Sequence, residues 1–426
     1  MIDEADEGGS QTAGYEADQV SGRYVVVMPD GADPGAVLAD VAGLGRVASS
    51  RDFSAQAVDM SQLGGAEATV FAELGIAVVS ADPEQVGALL AAVGNASSPV
   101  EVVVPELIYH VLPGPEFVAG YRAGVQDLSE HLLSQGAGQP AGPLFEDTAE
   151  ATWGLQAVGW GADVPTGAGV RVAVLDTGMD LEHPDFAGRE ITAMPFVEGE
   201  TAQDGHGHGT HCIGSACGGV SQEGRRYGVA SQAEIYAGKV LGDEGSGSDT
   251  GILAGINWAV ANECAVISMS LGADVREQHP PYVVAGRRAL ERGSLIIAAA
   301  GNNADRPSDP GFVGTPANSP DIMAVAAVDS RLAIARFSAR SLPGSGGQVD
   351  LAAPGVEVFS SWPMPTRYNT ISGTSMATPH AAGVAAVWAG VTGRRGLELW
   401  ATLDKQSRRL ELPSLDVGAG LVQVGS

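Results

Sequence analysis

Three short segments of this 426-residue chain carry side chains that can do chemistry together. They read VLDTG at 174–178, DGHGHGTHC at 204–212 and SGTSMATPH at 372–380. Each puts a carboxylate, an imidazole or a hydroxyl on a turn bounded by glycine. A serine hydroxyl is a weak nucleophile unless a neighbouring base takes its proton, and that base needs a group to orient it. The segments therefore supply the parts of a nucleophilic triad in Asp176, His208 and Ser375.

The second segment also allows a different interpretation. His206, His208, His211 and Cys212 have side chains of the types that bind zinc. A zinc site would leave the 372–380 segment unexplained, so the triad is favoured and no metal ligand is predicted. The chain has three cysteines, an odd number, and all three are expected to be thiols.

The part of the chain that holds these segments has the pattern of an α/β protein. Nearly continuous apolar runs lie at 170–175, 235–241, 265–271, 295–300 and 322–328. Such runs are typical of parallel strands buried on both faces. Helical patterns at 249–262 and 282–292 separate several of them. The alternation predicts a doubly wound, mostly parallel sheet whose site lies at the carboxyl ends of the strands.

The N-terminal part of the chain predicts a separate, smaller α+β domain at 21–112. Strands are expected at 23–28, 75–79 and 102–110, and helices at 34–42 and 83–93. The other predicted units are a disordered tail at 1–20, a helical segment with a Gly/Pro-rich linker at 113–151, and the larger domain at 152–426.

Charge and composition exclude several classes of function. The formal net charge is −28, and residues 1–150 hold 23 acidic against 4 basic side chains. This asymmetry indicates two parts with different roles, although a merely soluble acidic surface is the alternative. An acidic surface repels phosphate backbones, so nucleic acid is not an expected partner. No apolar run approaches the roughly 20 residues of a membrane helix, so a membrane partner is not expected either.

The first residues, MIDEADE, lack the apolar stretch of a signal peptide. The expected location is therefore cytoplasmic as the sequence is written, or secreted if an export signal has been removed.

The three segments, in this chain order, resemble the Asp, His and Ser motifs of the subtilisin-like serine peptidases over residues 152–426. The resemblance implies a serine endopeptidase that hydrolyses peptide bonds through an acyl-enzyme. Ser375 would be the nucleophile, His208 the base and Asp176 the group that orients it. The AAAGN segment at 298–302 resembles the oxyanion segment of the family, with Asn302 as a side-chain donor and the backbone N–H of Ser375 as a second donor.

The same resemblance implies the residues that bind the substrate. They are Gly245, Ser246, Gly247, Ser270, Leu271, Gly272, Ala300, Gly301 and Gly314. The first six form two edge segments that would pair with an extended peptide. The pocket walls carry no charge, and burying an apolar side chain is favourable there, so cleavage is expected after Leu, Phe, Tyr or Met.

Residues 21–112 resemble the inhibitory propeptide of the same family. The resemblance implies a zymogen whose own propeptide is an intramolecular inhibitor, cut at Leu112 or within the linker. Two alternatives remain open: a dedicated intracellular protease that processes one precursor, and a binding protein on an inactive peptidase scaffold.

The resemblance also bears on metal ions. No cofactor is required for the chemistry. Asp185 matches a residue that ligates calcium in many family members, but the usual calcium loop is not recognisable at 218–227. A structural calcium ion therefore remains open.

Overall fold

The structure is a computed structural model that describes residues 15–93, 98–111, 143–161, 163–342 and 347–425. The predicted helical segment and most of the predicted linker lie outside these residues, as does most of the predicted N-terminal tail. The prediction of a disordered tail at 1–20 is wrong for its last residues. Tyr15 packs against the core, and Val20 starts a strand in which it pairs with Leu107.

The N-terminal domain is an antiparallel sheet with two helices. Its elements are β1 (Val20–Val27), α1 (Pro34–Ala42), β2 (Val47–Ser49), β3 (Ala68–Phe71), β4 (Ile76–Val79), α2 (Pro83–Ala92) and β5 (Val102–Val111). The strands lie in the order β2-β3-β4-β1-β5, and only the β2–β3 pair is parallel. The Asp33 carboxylate accepts the Gly35 N–H at the start of α1, and Gly43 ends this helix at φ 67°. The α+β prediction is confirmed, although β2 and β3 were missed.

The N-terminal sheet is apolar on both faces. Along β1, Val26 packs in a cluster formed within the N-terminal domain, whereas Val25 and Val27 belong to the core of the larger domain. Successive residues of a strand point to opposite faces, so a run of valines covers both. One face therefore rests on α1 and α2, and the other rests on the larger domain.

The larger domain contains the remaining elements. They are α3 (Trp153–Ala157), β6 (Arg171–Asp176), β7 (Ile191–Pro195), α4 (His208–Cys217), β8 (Glu234–Lys239), β9 (Ser246–Ser248), α5 (Asp249–Ala261), β10 (Val266–Met269), β11 (Leu271–Gly272), α6 (Pro280–Glu291), β12 (Leu295–Ala299), β13 (Met323–Val328), β14 (Leu351–Pro354), β15 (Val358–Ser361), β16 (Tyr368–Ile371), α7 (Thr374–Thr392), α8 (Gly396–Gln406) and α9 (Ser414–Val417).

A parallel sheet of strands β14-β13-β12-β10-β6-β8-β7 forms the centre of this domain. The doubly wound α/β prediction is therefore confirmed. The chain leaves β6 toward β8 and β7 on one side and returns to β10 on the other. Ligands bind in such sheets where the strand order reverses, outside the carboxyl ends of the strands. The run predicted as one strand at 265–271 is interrupted at Ser270, whose side chain and carbonyl oxygen both contact Ser375.

Helix α7 passes through the interior of the larger domain. Its residues are buried from Thr374 to Val387, and alanine predominates. A helix that is apolar on all sides is typical of a protein core, and small side chains let the neighbouring strands approach closely. Among the helices of the described residues, none combines the length and the apolar character that crossing a membrane requires.

Candidate active site

Asp176 and His208 form a buried pair at the carboxyl end of β6. His208 is the first residue of α4, and its Nδ1 lies 2.8 Å from Asp176 Oδ1. Burial is the largest single effect and lowers the pKa of His208, but the charge of Asp176, together with Cys212 and the hydrogen bonds to both, outweighs it and raises the pKa well above its usual value. The contact orients the ring, and Nε2 has no hydrogen-bond partner within the described residues.

Asp204 holds the start of α4 in place, and the sequence interpretation gave it no role. Its carboxylate accepts the Thr210 N–H at 2.8 Å and the Thr177 hydroxyl at 2.9 Å, which ties α4 to the end of β6. Gly209 allows the close approach, because a Cβ there would lie 2.2 Å from the Gly178 carbonyl oxygen. Asp204 precedes the N-cap residue Gly207, so the usual capping signal does not identify it from the sequence.

Ser375 is the second residue of α7 and lies beside the end of β10. Its hydroxyl donates to the Ser270 carbonyl oxygen at 3.3 Å, and the Ser270 hydroxyl donates to the Ser375 carbonyl oxygen at 2.8 Å. The Cys212 sulfur lies 3.6 Å from that carbonyl oxygen and 3.8 Å from His208 Nδ1. Cys212 therefore packs between the serine and the histidine. Burial raises the pKa of its thiol to about 11.

Asn302 follows β12 and faces the start of α7. Its Oδ1 accepts the N–H and the hydroxyl of Thr374, each at 2.9 Å. Its Nδ2 is buried and has no hydrogen-bond partner in the described part of the chain. A buried amide donor without a partner is costly unless a ligand supplies an acceptor. The geometry leaves this N–H available beside Ser375.

The four side chains of the zinc interpretation are not brought together in the described residues. The donor atoms of Asp176, His208 and Cys212 lie within 4.8 Å of one another, but His206 and His211 are not in this group of the described residues. Instead, His211 Nε2 lies 3.0 Å from the Val358 carbonyl oxygen, and burial lowers the pKa of His211 to about 3.

An extended segment of the N-terminal domain occupies the edge of this site. Strand β5 lies between β9 and β11 and is antiparallel to both. Tyr109 is opposite Gly247, His110 lies between Ser246 and Gly272, and Val111 is opposite Leu271. The Val111 N–H donates to the Gly245 carbonyl oxygen at 2.9 Å. The two predicted edge segments thus pair with the chain's own strand, except that Ser270 contacts Ser375 instead.

The other predicted pocket residues lie together next to β11. The Gly314 N–H donates to the Ala300 carbonyl oxygen at 3.3 Å. A Cβ on Gly314 would lie 2.4 Å from the Ala273 carbonyl oxygen, so no larger residue has room there. The Gly301 N–H donates to the Thr374 hydroxyl at 3.2 Å, which joins this wall to the start of α7.

Comparison with known proteins identifies the larger domain. Residues 167–395, more than half of the chain, match the model of the Subtilase family. The chain belongs to the subtilase family. Thermitase from Thermoactinomyces vulgaris is 36% identical over 273 residues, which cover 64% of this chain and 92% of thermitase. An alkaline protease from Alkalihalobacillus alcalophilus is 41% identical over 281 residues, covering 62% of this chain and 70% of that protein.

Subtilisin E from Bacillus subtilis (strain 168) is 41% identical over 244 residues, covering 56% of this chain and 61% of that protein. This subtilase is accordingly a serine endopeptidase that acts on peptides or proteins. The interpretation as an inactive binding scaffold is not supported.

Asp185 of this subtilase has its carboxylate engaged by tyrosines. The Tyr227 hydroxyl donates to Asp185 Oδ2 at 2.9 Å, and the Tyr368 hydroxyl donates to Oδ1 at 3.1 Å. Both oxygens thus have protein donors at the position where the family resemblance suggested a calcium ligand.

Proposed function

We propose that this subtilase cleaves peptide bonds with Ser375 as nucleophile, His208 as general base and Asp176 as the carboxylate that orients the base. The proposal rests chiefly on the buried Asp176–His208 contact of 2.8 Å, made beside the start of α7 where Ser375 lies. The orphaned Nε2 of His208 would take the proton of the attacking hydroxyl and later return it to the leaving amine.

Asn302 would stabilise the negative charge that develops on the carbonyl oxygen of the substrate. Its Oδ1 is held by Thr374, so its Nδ2–H is left without a partner. The Ser375 N–H, at the N-terminus of α7, would be the second donor. Donors that are fixed before the reaction stabilise the transition state without a cost of reorganisation.

The protein would be made as a zymogen with its N-terminal domain as an intramolecular inhibitor. Strand β5 pairs with both edge segments as an extended substrate would. While β5 is there, no substrate can form the same backbone hydrogen bonds. No soluble cofactor is needed for this chemistry.

The register suggests where the zymogen is cut. His110 of β5 pairs with Gly272 and Val111 pairs with Leu271, so the next residue of the chain would lie beside Ser270. The Ser270 carbonyl oxygen lies 3.3 Å from the Ser375 hydroxyl. The first residue beyond Val111 is Leu112, which lies outside the described residues. We therefore propose cleavage after Leu112 and a preference for Leu, Phe, Tyr or Met before the cut, since Ala300, Gly301 and Gly314 carry no charge.

The test compares Ser375→Ala with Ser372→Ala, a change three positions away in the same segment. The nucleophile and its base act as a unit, so removing the nucleophile lowers kcat about 10⁶-fold. Ser375→Ala is expected to stay full length in a protease-deficient host and to resist a fluorophosphonate probe, whereas Ser372→Ala is cut after Leu112 and labelled. Processing or labelling of Ser375→Ala would contradict the proposal.

A further inference from the structure

A lysine is buried at the carboxyl end of the central sheet, beside the strand that ends in Asp176. Lys239 is the last residue of β8, and it pairs with Asp176 of β6 in the parallel register. Its side chain is fully buried, whereas the one other lysine of the chain, Lys405, is exposed. A buried ammonium group is costly unless acceptors surround it.

Three oxygen atoms surround the ammonium group of Lys239. Its Nζ lies 2.7 Å from the Thr177 carbonyl oxygen, 2.6 Å from Asp243 Oδ1 and 3.1 Å from Glu200 Oε2. An ammonium has three N–H groups, so each of them has an acceptor. The Asp243 side chain is half exposed and that of Glu200 is partly exposed, so the cation is the most deeply buried member of the cluster.

The contact with Thr177 leads directly to the Asp176–His208 pair. The Thr177 N–H donates to Asp176 Oδ1 at 2.8 Å, and the Thr177 hydroxyl accepts the Gly209 N–H at 2.8 Å. Gly209 follows His208 in the first turn of α4. Because Lys239 binds the carbonyl oxygen of Thr177, it fixes the turn that makes both of these contacts.

The contact with Asp243 reaches the segment that leads into α4. Asp243 Oδ1 accepts the Gly205 N–H at 2.9 Å as well as the ammonium of Lys239. A Cβ on Gly205 would lie 2.4 Å from the Asp243 carboxylate, so the two segments fit closely. Lys239 therefore connects the turn after Asp176 with the segment that carries His208.

We propose that Lys239 is a positioning residue for the Asp176–His208 pair. It holds the aspartate side through the Thr177 carbonyl and the histidine side through the Asp243 carboxylate. The inference rests on the proposed function, in which this pair activates the nucleophile. Stability alone does not explain the lysine, because apolar side chains of similar volume often replace a buried ion pair without loss of stability. Alignment of the base with the nucleophile does require fixed geometry.

The charge of Lys239 acts on the same pair. Burial is the largest effect on the pKa of His206 and lowers it, and the charges of His208 and Lys239 lower it further. The ring centroids of His206 and His208 lie 6.3 Å apart, so the charge of the lysine reaches the segment that carries the base. A cation near this segment opposes protonation of His208, and a carboxylate favours it. Among the described residues, the titratable groups that surround His208 and Lys239 are Asp176 from β6, His206 and Cys212 from the segment of His208, Asp204 before α4, and Asp243 and Glu200 beside the lysine.

The first experiment measures kcat and kcat/KM against pH for the enzyme obtained by expressing the full chain. Each rate is divided by the concentration of sites that a fluorophosphonate labels. Lys239→Met is expected to lower kcat per labelled site about tenfold, since small misplacements of reacting groups cost up to about 100-fold. The acid limb of kcat/KM is expected to move to higher pH by roughly half a unit, because no cation then opposes protonation of His208.

Two substitutions of Asp243 separate its charge from its contacts. An asparagine Oδ1 can still accept the Gly205 N–H and the ammonium, so Asp243→Asn removes only a negative charge. Its acid limb is expected to move to lower pH, opposite to the shift in Lys239→Met. Asp243→Ala also removes the contacts and is expected to lower kcat per labelled site several-fold more than Asp243→Asn. The half-exposed Asp243 tolerates both changes, so this comparison stands even where Lys239→Met does not fold.

A structural cation of the larger domain is the matched control. Arg189 binds the carbonyl oxygens of Cys217, the last residue of α4, and of Ala233. Arg189→Met is expected to lower the thermal midpoint and to leave both the rate per labelled site and the acid limb unchanged. A normal rate per labelled site in Lys239→Met, equal rates in the two Asp243 variants, or acid limbs that move in the same direction would each overturn the inference. Absence of labelling at Ser375 in the unsubstituted enzyme would instead count against the proposed function.

The second experiment needs no activity. In the full chain with Ser375→Ala, the protonation of His208 is followed by NMR of ¹³C-labelled histidine, and its resonance is assigned by its loss in His208→Gln. Lys239→Met is expected to raise the titration midpoint and Asp243→Asn to lower it, whereas the exposed Lys405→Met leaves it unchanged. A midpoint that neither Lys239→Met nor Asp243→Asn moves would overturn the inference, whatever the outcome for the proposed function.

Discussion

The candidate catalytic centre and the interface with the N-terminal domain are held by different kinds of contact. In the centre, side chains at the ends of neighbouring elements bind one another, as Asp176 binds His208 and the Thr374 hydroxyl binds Asn302. At the interface, charged side chains of one domain bind backbone groups of the other as well as its side chains. The Thr250 N–H of α5 donates to the buried Glu106 carboxylate at 2.8 Å, for example.

At a second interface contact, the larger domain supplies the charged side chain and the N-terminal domain supplies the backbone group. Arg288 of α6 donates to the Met28 carbonyl oxygen at 2.8 Å and lies 2.6 Å from the Asp30 carboxylate. The contacts of the centre are all made within the larger domain, whereas those of the interface would end if the N-terminal domain were removed, as the proposed function requires. Chemistry and inhibition should therefore be separable by mutation, and the following predictions test that comparison.

Among the residues that support the nucleophile, the largest effect is expected from the orienting carboxylate. Asp176→Asn should lower kcat about 10⁴-fold, because the imidazole loses the partner that holds its tautomer. The charge of Asp176 is also the largest of the effects that raise the pKa of His208 against burial. Catalysis needs neutral His208, so the acid limb of the kcat/KM profile should move to lower pH. A profile that does not move would contradict the assignment of the base.

The next largest effect is expected from the oxyanion donor. Asn302→Ala should lower kcat about 100- to 1,000-fold with little change in KM, because the lost N–H acts on charge that develops in the transition state. The adjacent Asn303→Ala is the control, since Asn303 bonds to Asp274 and the Phe312 carbonyl oxygen instead. Kinetics with one peptide substrate distinguish the two. A normal kcat for Asn302→Ala would show that Asn302 is not an oxyanion donor.

A smaller effect, on inhibition and not on chemistry, is expected at the interface. Glu106 is fully buried, and its carboxylate binds Arg23 at 2.6 Å as well as the start of α5. Glu106→Gln should shorten the lag before the full chain becomes active by about tenfold, since it weakens hydrogen bonds to a charged group. The exposed Glu101→Gln is the control. Equal lags, or a changed kcat after activation, would contradict the separation.

No effect is expected from removing calcium at Asp185. Both carboxylate oxygens already accept a tyrosine hydroxyl, so the group does not depend on a cation to be satisfied. The thermal midpoint should be the same in EDTA and in added calcium. If calcium raises the thermal midpoint, the measurement is repeated with Asp185→Asn. Loss of the rise in that variant would show that calcium binds Asp185 and displaces the tyrosine hydroxyls.

Local sequence explains how the residues of the candidate centre could be singled out. Asp176 closes an apolar strand, and His208 and Ser375 open helices within glycine-bounded segments, so each side chain sits where its own segment puts it. The helix at 34–42 was predicted for the same reason, since its cap Asp33 and its stop Gly43 are adjacent to it.

The contacts across the interface could not be predicted in this way. Glu106 and Thr250 are 144 residues apart, and Leu107 and Asp249 are 142 apart. Nothing in the neighbourhood of any of these residues indicates the partner. The bond from Ser270 to Ser375 spans 105 residues and was not predicted either. Pairings between residues far apart in the sequence become visible only in the folded structure.

The two-faced sheet of the N-terminal domain has a consequence for the direction of activation. After cleavage and release, the face that carries Val25, Val27 and Phe71 would meet water, because α1 and α2 cover only the other side. A detached domain with half of its core exposed loses much of the burial that keeps it folded. It would unfold or be digested before it could dock again. Activation of this subtilase would then be irreversible.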